Sequence, residues 1–210
     1  MPFVSVLVPT SFTRHWSHAT LFKCWKQQTY PKDRREMLIL DTGGAPSPFF
    51  TTRCRDRTVR YFHVGMPPPA ARTVGGKRNW LAGKARGSVL AAFDDDDIYL
   101  PDYLERMVSV LSREGAGLVK LASWVSFDAS GGSLGVFEAD ADNAWGHHSR
   151  RWGYGFSYVY TSALAKAVPF PPQDFGEDYA FVLASCRAGW RVLQYADESP
   201  RACCVHVSHG

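Results

Sequence analysis

The sequence predicts an α/β fold with a mostly parallel sheet flanked by helices, and three observations lead to this prediction. Short Val- and Leu-rich runs such as VSVLV, MLIL and VLAA are typical of strands buried on both faces of a parallel sheet. Longer segments with helical spacing of apolar residues separate these runs, as in a doubly wound sheet with right-handed crossovers. Acidic residues follow directly after two of the runs, at the strand ends where open α/β sheets bind ligands.

The first half of the chain alternates between predicted strands and predicted helices. We predict strands at residues 3–10, 36–41, 59–65 and 89–93, and helices at residues 17–28, 73–87 and 101–113. The last of these helices is the clearest, because Leu104, Met107, Val108 and Leu111 recur on one face. We expect Pro101 in its first turn, where the missing proline N–H is not needed.

The second half of the chain has a different pattern. Strand-like segments at residues 118–127 and 133–138 flank Gly131 and Gly132, which predicts a β-hairpin and a smaller antiparallel β element. The other predicted elements are strands at residues 156–161, 191–196 and 204–208, a helix at residues 162–168, and a helix that opens at Glu177 and Asp178. The predicted buried face of this last helix is formed by Tyr179, Val182, Leu183 and Cys186.

The composition excludes several classes of protein. With 210 residues, 45% of them hydrophobic and 21% charged, the chain fits one globular domain with a sizeable core. The net charge of +4 is mild and the arginines are scattered, unlike the concentrated basic stripe of a nucleic-acid binder. The five cysteines lack zinc-like spacing, which favours a reduced compartment. The first apolar run lacks a basic leader and is too short for a membrane span, so we expect a cytosolic protein.

Four consecutive carboxylates, Asp94 to Asp97, follow the predicted strand at residues 89–93. Like charges this close repel one another, so such a run is unusual unless a cation neutralises it. If the strand geometry continues, Asp94 and Asp96 point one way and Asp95 and Asp97 the other. Oxygen ligands of this kind suit Mg²⁺ or Mn²⁺. A solvated acidic loop that caps the next helix is the alternative, but the buried strand directly before the run favours the metal site.

Several short segments then match a known family in their order along the chain. They are VSVLVPT, QQTYP, EMLILD, GGKRN, FDDDDIYLPDYLE, GEDYAF and RAGWRV, and they cover nearly the whole chain. On these segments the sequence resembles the family 2 glycosyltransferases of GT-A fold. The resemblance implies a single GT-A domain with a Rossmann-like sheet. It also implies a hexosyltransferase-like enzyme that moves a sugar, with inversion, from a nucleotide diphosphate sugar to a hydroxyl acceptor such as a glycan, and the expected donor is a UDP-sugar.

The resemblance assigns donor-binding roles to residues of the first half. They are Thr10 and Asp41 at the nucleobase, Lys77 and Arg78 near the diphosphate, and Asp94 with Asp95 in the run that meets the ribose or the metal. Asp95 and Asp97 could instead only cap or orient. On position alone, Thr10 and Asp41 could equally serve in turns, and Arg78 could lie on a solvated helix face.

The resemblance also implies a Mn²⁺ or Mg²⁺ site that is completed from the far end of the chain. Asp96 is then the principal metal ligand, with Asp94 beside it. A C-terminal histidine often completes such a site in GT-A enzymes, and both His206 and His209 are candidates. A lone histidine is more often structural or exposed than a ligand, so a structural role for either residue is the alternative.

The remaining assignments concern the catalytic base and the acceptor. The resemblance makes Asp178 the base, although acids at a helix start, Glu177 included, are common for electrostatic reasons alone. Trp145, Trp152 and Tyr154 lie in an aromatic and basic segment and could either stack on a sugar or belong to the core. In this interpretation residues 1–115 form the nucleotide-binding half of one catalytic domain, and residues 116–210 form the half that binds the acceptor and carries the base.

Two other functions are compatible with the fold. A sugar-1-phosphate nucleotidyltransferase would share the fold and the metal, but it would carry a Gly-rich phosphate loop after the first strand, and the segment TSFTRHWS contains no glycine. A sugar-nucleotide-binding or carbohydrate-binding module without turnover would have no need of Asp178. Binding of a sugar without a nucleotide, and no turnover, would distinguish such a module from a transferase.

Overall fold

A computed structural model describes residues 1–139, 151–196 and 202–209 and contains two sheets flanked by helices. The strands are β1 (Val4–Thr10), β2 (Arg35–Asp41), β3 (Val59–His63), β4 (Val89–Ala92), β5 (Ile98–Tyr99), β6 (Leu118–Leu121), β7 (Ser123–Asp128), β8 (Ser133–Glu138), β9 (Val159–Thr161), β10 (Val192–Tyr195) and β11 (Cys204–Ser208). The helices are α1 (His18–Gln27), α2 (Val74–Lys84), α3 (Tyr103–Arg113), α4 (Ser162–Ala167) and α5 (Glu177–Arg187). Within these residues, we find no helix with the length and apolar character needed to cross a lipid bilayer.

The larger sheet has seven strands in the order β10-β6-β9-β4-β1-β2-β3. Its pairings are parallel except those of β9, which runs antiparallel to both β4 and β6. In β1 the buried side chains alternate between the two faces, because Val6 and Val8 join one core cluster and Leu7 joins the other. Both faces of the sheet are therefore covered, and the predicted mostly parallel α/β fold is confirmed.

The smaller sheet has four strands in the order β5-β11-β7-β8. The predicted hairpin is present as β7 and β8, but the predicted single strand at residues 118–127 is divided between the two sheets. The division falls at Ala122, whose N–H donates to Tyr195 of the larger sheet while its carbonyl accepts from Ala139. The segment LVKLASWVSF contains no glycine or proline at this point, so the sequence does not show that the strand changes sheets.

Two further predictions were wrong in detail. Pro101 does not open a helix, because β5 comes first and pairs with β11, and α3 begins only at Tyr103. On α5 the buried residues are Glu177, Phe181, Val182 and Ser185, whereas the predicted Cys186 is exposed. The buried face of α5 includes two polar residues, and a reading of apolar spacing alone could not assign it.

Candidate active site

The carboxyl ends of β1, β2 and β4 meet at one edge of the larger sheet. Thr10 lies opposite Asp41 in the parallel register of β1 and β2, and the acidic run follows β4 on the other side of β1. The first turns of α2 also reach this edge, where Lys77 Nζ donates to the carbonyl of Thr10 at 3.4 Å. The structure therefore brings together residues that the sequence predicted to meet here, from three separate strands and a helix.

Asp41 is completely buried and has three hydrogen-bond donors. Its Oδ1 accepts from the N–H of Gly43 at 2.9 Å, and its Oδ2 accepts from the Tyr61 hydroxyl at 2.6 Å and from His15 Nε2 at 2.7 Å. Burial alone would raise the pKa of Asp41, but these hydrogen bonds outweigh it and the pKa lies below its ordinary value. Both carboxylate oxygens of Asp41 therefore accept hydrogen bonds from groups of the fold.

Asp95 lies at one end of a buried hydrogen-bond chain. The Thr10 hydroxyl donates to Asp95 Oδ2, so Thr10 must accept from His18 Nε2 at 2.9 Å, and His18 Nδ1 then accepts from the Ser47 hydroxyl at 2.8 Å. Burial, reinforced by the nearby His15, lowers the pKa of His18 to about 4, so its ring is neutral. This geometry favours an orienting role for Asp95 over a direct ligand role.

The acidic run is divided by exposure. Asp95 and Asp97 are buried, whereas Asp94 and Asp96 retain side-chain exposures of 33% and 11%. This division agrees with the predicted alternation of the four carboxylates. The carboxylates of the run that are accessible to a bound cation are therefore Asp94 and Asp96.

The two candidate histidines pair with different carboxylates. His209 Nε2 lies 2.9 Å from Asp96 Oδ2, at the exposed side of the run, where Arg14 also forms an ion pair with Asp96. His206 Nδ1 instead lies 3.0 Å from the buried Asp97 Oδ1 and stacks on Phe156 with ring centroids 4.5 Å apart. Burial would lower the pKa of His206, but the hydrogen bond to Asp97 and its charge raise it above the ordinary value.

Arg78 is buried beneath the acidic run, between two carboxylates. Its Nη2 donates to Asp94 Oδ1 at 3.3 Å and its Nε donates to Glu177 Oε1 at 3.4 Å. Its Nη1 has no hydrogen-bond partner among the residues that the structure describes. The predicted contact of Arg78 with the diphosphate stays a prediction, and Nη1 is buried in this structure.

Asp178 lies in the first turn of α5 and is held by two backbone groups. Its Oδ2 accepts from the N–H of Gly155 at 2.9 Å, and its Oδ1 accepts from the N–H of Tyr179 at 2.6 Å. The residue before Gly155 is Tyr154, which has a left-handed backbone with φ 66°. Such a conformation is unfavourable for a residue other than glycine and is often found at functional sites.

The aromatic residues predicted at the acceptor do not lie together. Tyr154 contacts Trp124 and Phe137, with ring centroids 4.8 and 5.1 Å away, and it also lies beside His206. Trp152 packs against the core cluster on the opposite face of the sheet, which fits a core role. Trp145 falls outside the residues that the structure describes.

Comparison with known proteins agrees with this geometry. The sequence profile described as glycosyl transferase family 2 matches residues 5–138. These residues include the ends of β1, β2 and β4 and the acidic run, but not α5 or β11. The chain belongs to glycosyl transferase family 2. A comparison with curated protein sequences gives no match.

Solved structures of similar fold include TarS and a mannosyltransferase. TarS of S. aureus, residues 1–349, in complex with UDP-GlcNAc covers 99% of this chain at 16% identity and a TM-score of 0.75. Its complex with UDP covers 98% of this chain at 16% identity and a TM-score of 0.74. The mannosyltransferase PcManGT from Pyrobaculum calidifontis, in complex with GDP-Man and Mn²⁺, covers 99% of the chain at 18% identity and a TM-score of 0.69. These similarities show the GT-A fold. The chain spans 59%, 60% and 56% of the length of these three structures.

The residues present partly fit the divalent cation that some members of this fold bind. No group of three or more His, Cys, Asp or Glu side chains is arranged as a metal site within residues 1–139, 151–196 and 202–209. Asp96 and His209 nevertheless already meet, and a carboxylate oxygen with an imidazole nitrogen is a suitable pair of ligands for Mn²⁺. Phosphate oxygens and water commonly supply the other ligands of such ions. Because Arg14 also holds Asp96, an ion that binds there must displace this arginine.

Sequence reasoning missed several residues of this family 2 site. Arg14 and His15 lie in the segment TSFTRHWS at the end of β1. Their position just after a buried strand could have identified them as candidate site residues. His18, Ser47 and Tyr61 come from α1, from a loop and from β3, and they meet only through the fold. No spacing along the sequence links these three residues.

Proposed function

We propose that this family 2 protein is an inverting glycosyltransferase that moves a sugar from a nucleotide diphosphate sugar to a hydroxyl acceptor such as a glycan. The main supporting observation is that the side chain of Arg78 connects the acidic run to the start of α5. It donates to Asp94 and to Glu177, and it packs against Gly155, whose N–H donates to Asp178. A carboxylate of the proposed donor site and a potential base therefore lie on either side of one buried arginine. Residues 1–115 would bind the nucleotide, and the later residues would bind the acceptor and supply the base.

The donor would bind along the edge formed by β1, β2 and β4. Asp41 and Thr10 mark the proposed nucleobase end, where His15 covers Asp41. Lys77 lies next to Thr10, and nearby carboxylates partly offset the lowering of its pKa by burial. A bound Mn²⁺ or Mg²⁺ at Asp96 and His209 would neutralise charge on the diphosphate as it leaves. UDP is the proposed nucleotide, because TarS, a similar structure, is complexed with UDP and with UDP-GlcNAc.

Transfer would occur by one displacement at the anomeric carbon. The acceptor oxygen forms the new bond as the bond to the diphosphate oxygen breaks, and the hydroxyl proton passes to Asp178. Two backbone hydrogen bonds at the start of α5 fix the position of the Asp178 carboxylate, and a positioned carboxylate can act as a general base. Attack from the side opposite the leaving diphosphate inverts the anomeric configuration.

Calorimetry with UDP and GDP, each with Mn²⁺ or with EDTA, tests the donor part of the proposal. We expect UDP with Mn²⁺ to bind more tightly than either GDP with Mn²⁺ or UDP with EDTA. In a parallel thermal-shift measurement, UDP at 100 times its Kd should stabilise the fold by about 2.7 kcal/mol. Equal affinity for UDP in Mn²⁺ and in EDTA would contradict a metal-bridged diphosphate.

Release of UDP from a panel of UDP-sugars tests the transferase part. A transferase is expected to hydrolyse or transfer at least one donor that it binds. Tight donor binding with no release of UDP, with and without glycan acceptors, would indicate a binding module instead. The same panel would identify the donor sugar.

A further inference from the structure

A buried arginine connects the two parts of the proposed site. Arg78 is 4% exposed, and its guanidinium donates to Asp94, which follows β4, and to Glu177, which begins α5. The sequence distance between Arg78 and Glu177 is 99 residues. One side chain on α2 thus links the acidic run to the helix that carries Asp178.

The charges around Arg78 make this link strong. Burial alone would disfavour the charged form, but Asp94 and Glu177, with a smaller contribution from Asp178, raise the pKa of Arg78 well above its ordinary value. Glu177 is itself only 6% exposed. A buried carboxylate without a counter-charge is strongly destabilising, so the arginine and the glutamate hold each other in place.

Gly155 forms the second connection between Arg78 and Asp178. A Cβ atom on Gly155 would lie 3.3 Å from Arg78 Nη2 and 3.0 Å from Asp178 Cβ, so the backbone of Gly155 is packed between the two side chains. The same glycine donates its N–H to Asp178 Oδ2. Arg78 therefore supports both groups that fix the Asp178 carboxylate: the first turn of α5 and the peptide at Gly155.

We propose that Arg78 is a positioning residue, which sets the orientation of the Asp178 carboxylate through Glu177 on one side and Gly155 on the other. This inference rests on the proposed function, because it takes Asp178 as the base. It differs from a diphosphate-binding role for Arg78, in which loss of the guanidinium would weaken nucleotide binding. The two roles therefore predict different kinetic effects.

The variants Arg78→Lys, Glu177→Gln and the double variant separate these roles. Lysine keeps the positive charge but cannot donate to both carboxylates from a planar fork, and glutamine removes one buried charge at nearly constant volume. We expect each single variant to lower kcat by roughly 10- to 100-fold, since small displacements of a catalytic group have effects of this size. The KM for the donor and the Kd for UDP with Mn²⁺ should stay within about threefold of the wild-type values, because a positioning residue does not contact the ligand.

The double variant tests whether the two residues act as a unit. We expect Arg78→Lys with Glu177→Gln to lose no more activity than the more impaired single variant, because neighbours in one network are not additive. Lys77→Gln, at the adjacent position that contacts Thr10, is the contrasting control and should raise the Kd for UDP. Melting temperatures and circular dichroism of all variants report whether the fold is kept, and Glu177→Gln carries the test if Arg78→Lys does not fold.

Two results would overturn the inference. One is a rise in the Kd for UDP in Arg78→Lys by the same factor as the fall in kcat/KM, which would make Arg78 a ligand of the nucleotide. The other is fully additive loss in the double variant. Failure of the proposed function is a separate result, since the wild-type protein would then release UDP from no donor, whether or not it binds UDP.

Discussion

At the scale of single residues, the site contains two kinds of carboxylate. Some are buried and hydrogen-bonded within the fold, and others are partly exposed to solvent. Asp41, Asp95 and Asp97 are buried, and each accepts hydrogen bonds from side chains of the fold. Asp96 remains partly exposed beside His209. The proposed roles of two carboxylates, Asp96 at the donor and Asp178 at the acceptor, can be tested by replacing one carboxylate oxygen in each with an amide nitrogen.

Asp96→Asn and Asp178→Asn should fail in different ways. The Asp96 amide removes the charge that would hold the metal, so we expect loss of Mn²⁺-dependent UDP binding and of transfer. The Asp178 amide removes the base alone, so donor binding should persist while the rate falls by about 10² to 10⁴. Calorimetry and a UDP-release assay on the same preparations measure both effects.

Asp97→Asn provides the internal comparison for this pair. Asp97 is the buried last carboxylate of the run and accepts from Val207 N–H at 2.9 Å. We therefore expect Asp97→Asn to lower the free energy of unfolding more than it lowers donor affinity.

If Asp178→Asn turns over at the wild-type rate with normal donor binding, Asp178 is not the base.

At the scale of elements, the start of α2 depends on close contact with the loop before α5. Asp174 Oδ1 accepts from the N–H of Val74 at 2.9 Å, and the N–H of Gly75 donates to the carbonyl of Gln173 at 3.1 Å. A Cβ atom on Gly75 would overlap the carbonyl oxygen of Pro171. This glycine allows the helix that carries Lys77 and Arg78 to approach the loop that precedes Asp178.

Gly75→Ala should therefore destabilise the protein, whereas Gly83→Ala on the same helix should not. Overpacking against backbone costs about 1–3 kcal/mol or more. A Cβ atom on Gly83 would meet no atom within 4 Å, so the better helix propensity of alanine should stabilise the fold by about 0.5–1 kcal/mol. Chemical denaturation of the two variants measures both changes, and equal effects would show that the contact at Gly75 adapts without strain.

The comparison of sequence and structure is also clearest at this scale. The four strands and three helices predicted in the first half are present with ends shifted by a few residues, since buried Val-rich runs and amphipathic helices carry their own signals. β5 was missed because its pairing partner, β11, lies about a hundred residues later along the chain. The hydrogen-bond chain of His18 and Ser47 was missed for the same reason, as only the folded chain brings its members together.

At the scale of the whole molecule, His18 couples folding to pH. Its ring is completely buried and neutral between Thr10 and Ser47. The pKa of about 4 in the folded protein lies below the value of 6.5 for an unperturbed histidine. The unfolded chain therefore takes up this proton first as the pH falls, and the fold loses stability in that range.

We expect the free energy of unfolding to be unaffected by His18 above about pH 6.5 and to decrease between about pH 6.5 and pH 4. The full contribution is roughly 3 kcal/mol. Urea denaturation across this range measures it, with His18→Gln as the comparison. The variant should be less stable at neutral pH but should lose less stability on acidification. Parallel pH profiles for the two proteins would mean that the pKa of His18 in the folded protein is not lower than in the unfolded chain.

The strand β11 has a consequence for how the protein is made. It places His206 against Asp97 and leads to His209 beside Asp96, across sequence distances of 109 and 113 residues. Contacts between distant residues form slowly, because a long loop must be closed before they contribute. The ribosome delivers β11 after every other described strand, so β1, β2 and β4 can pair during synthesis while the proposed cation site has only its carboxylates. Before the two histidines are synthesised, repulsion within the acidic run is offset by two arginines. Among the described residues, Arg14 forms an ion pair with Asp96 and Arg78 forms one with Asp94.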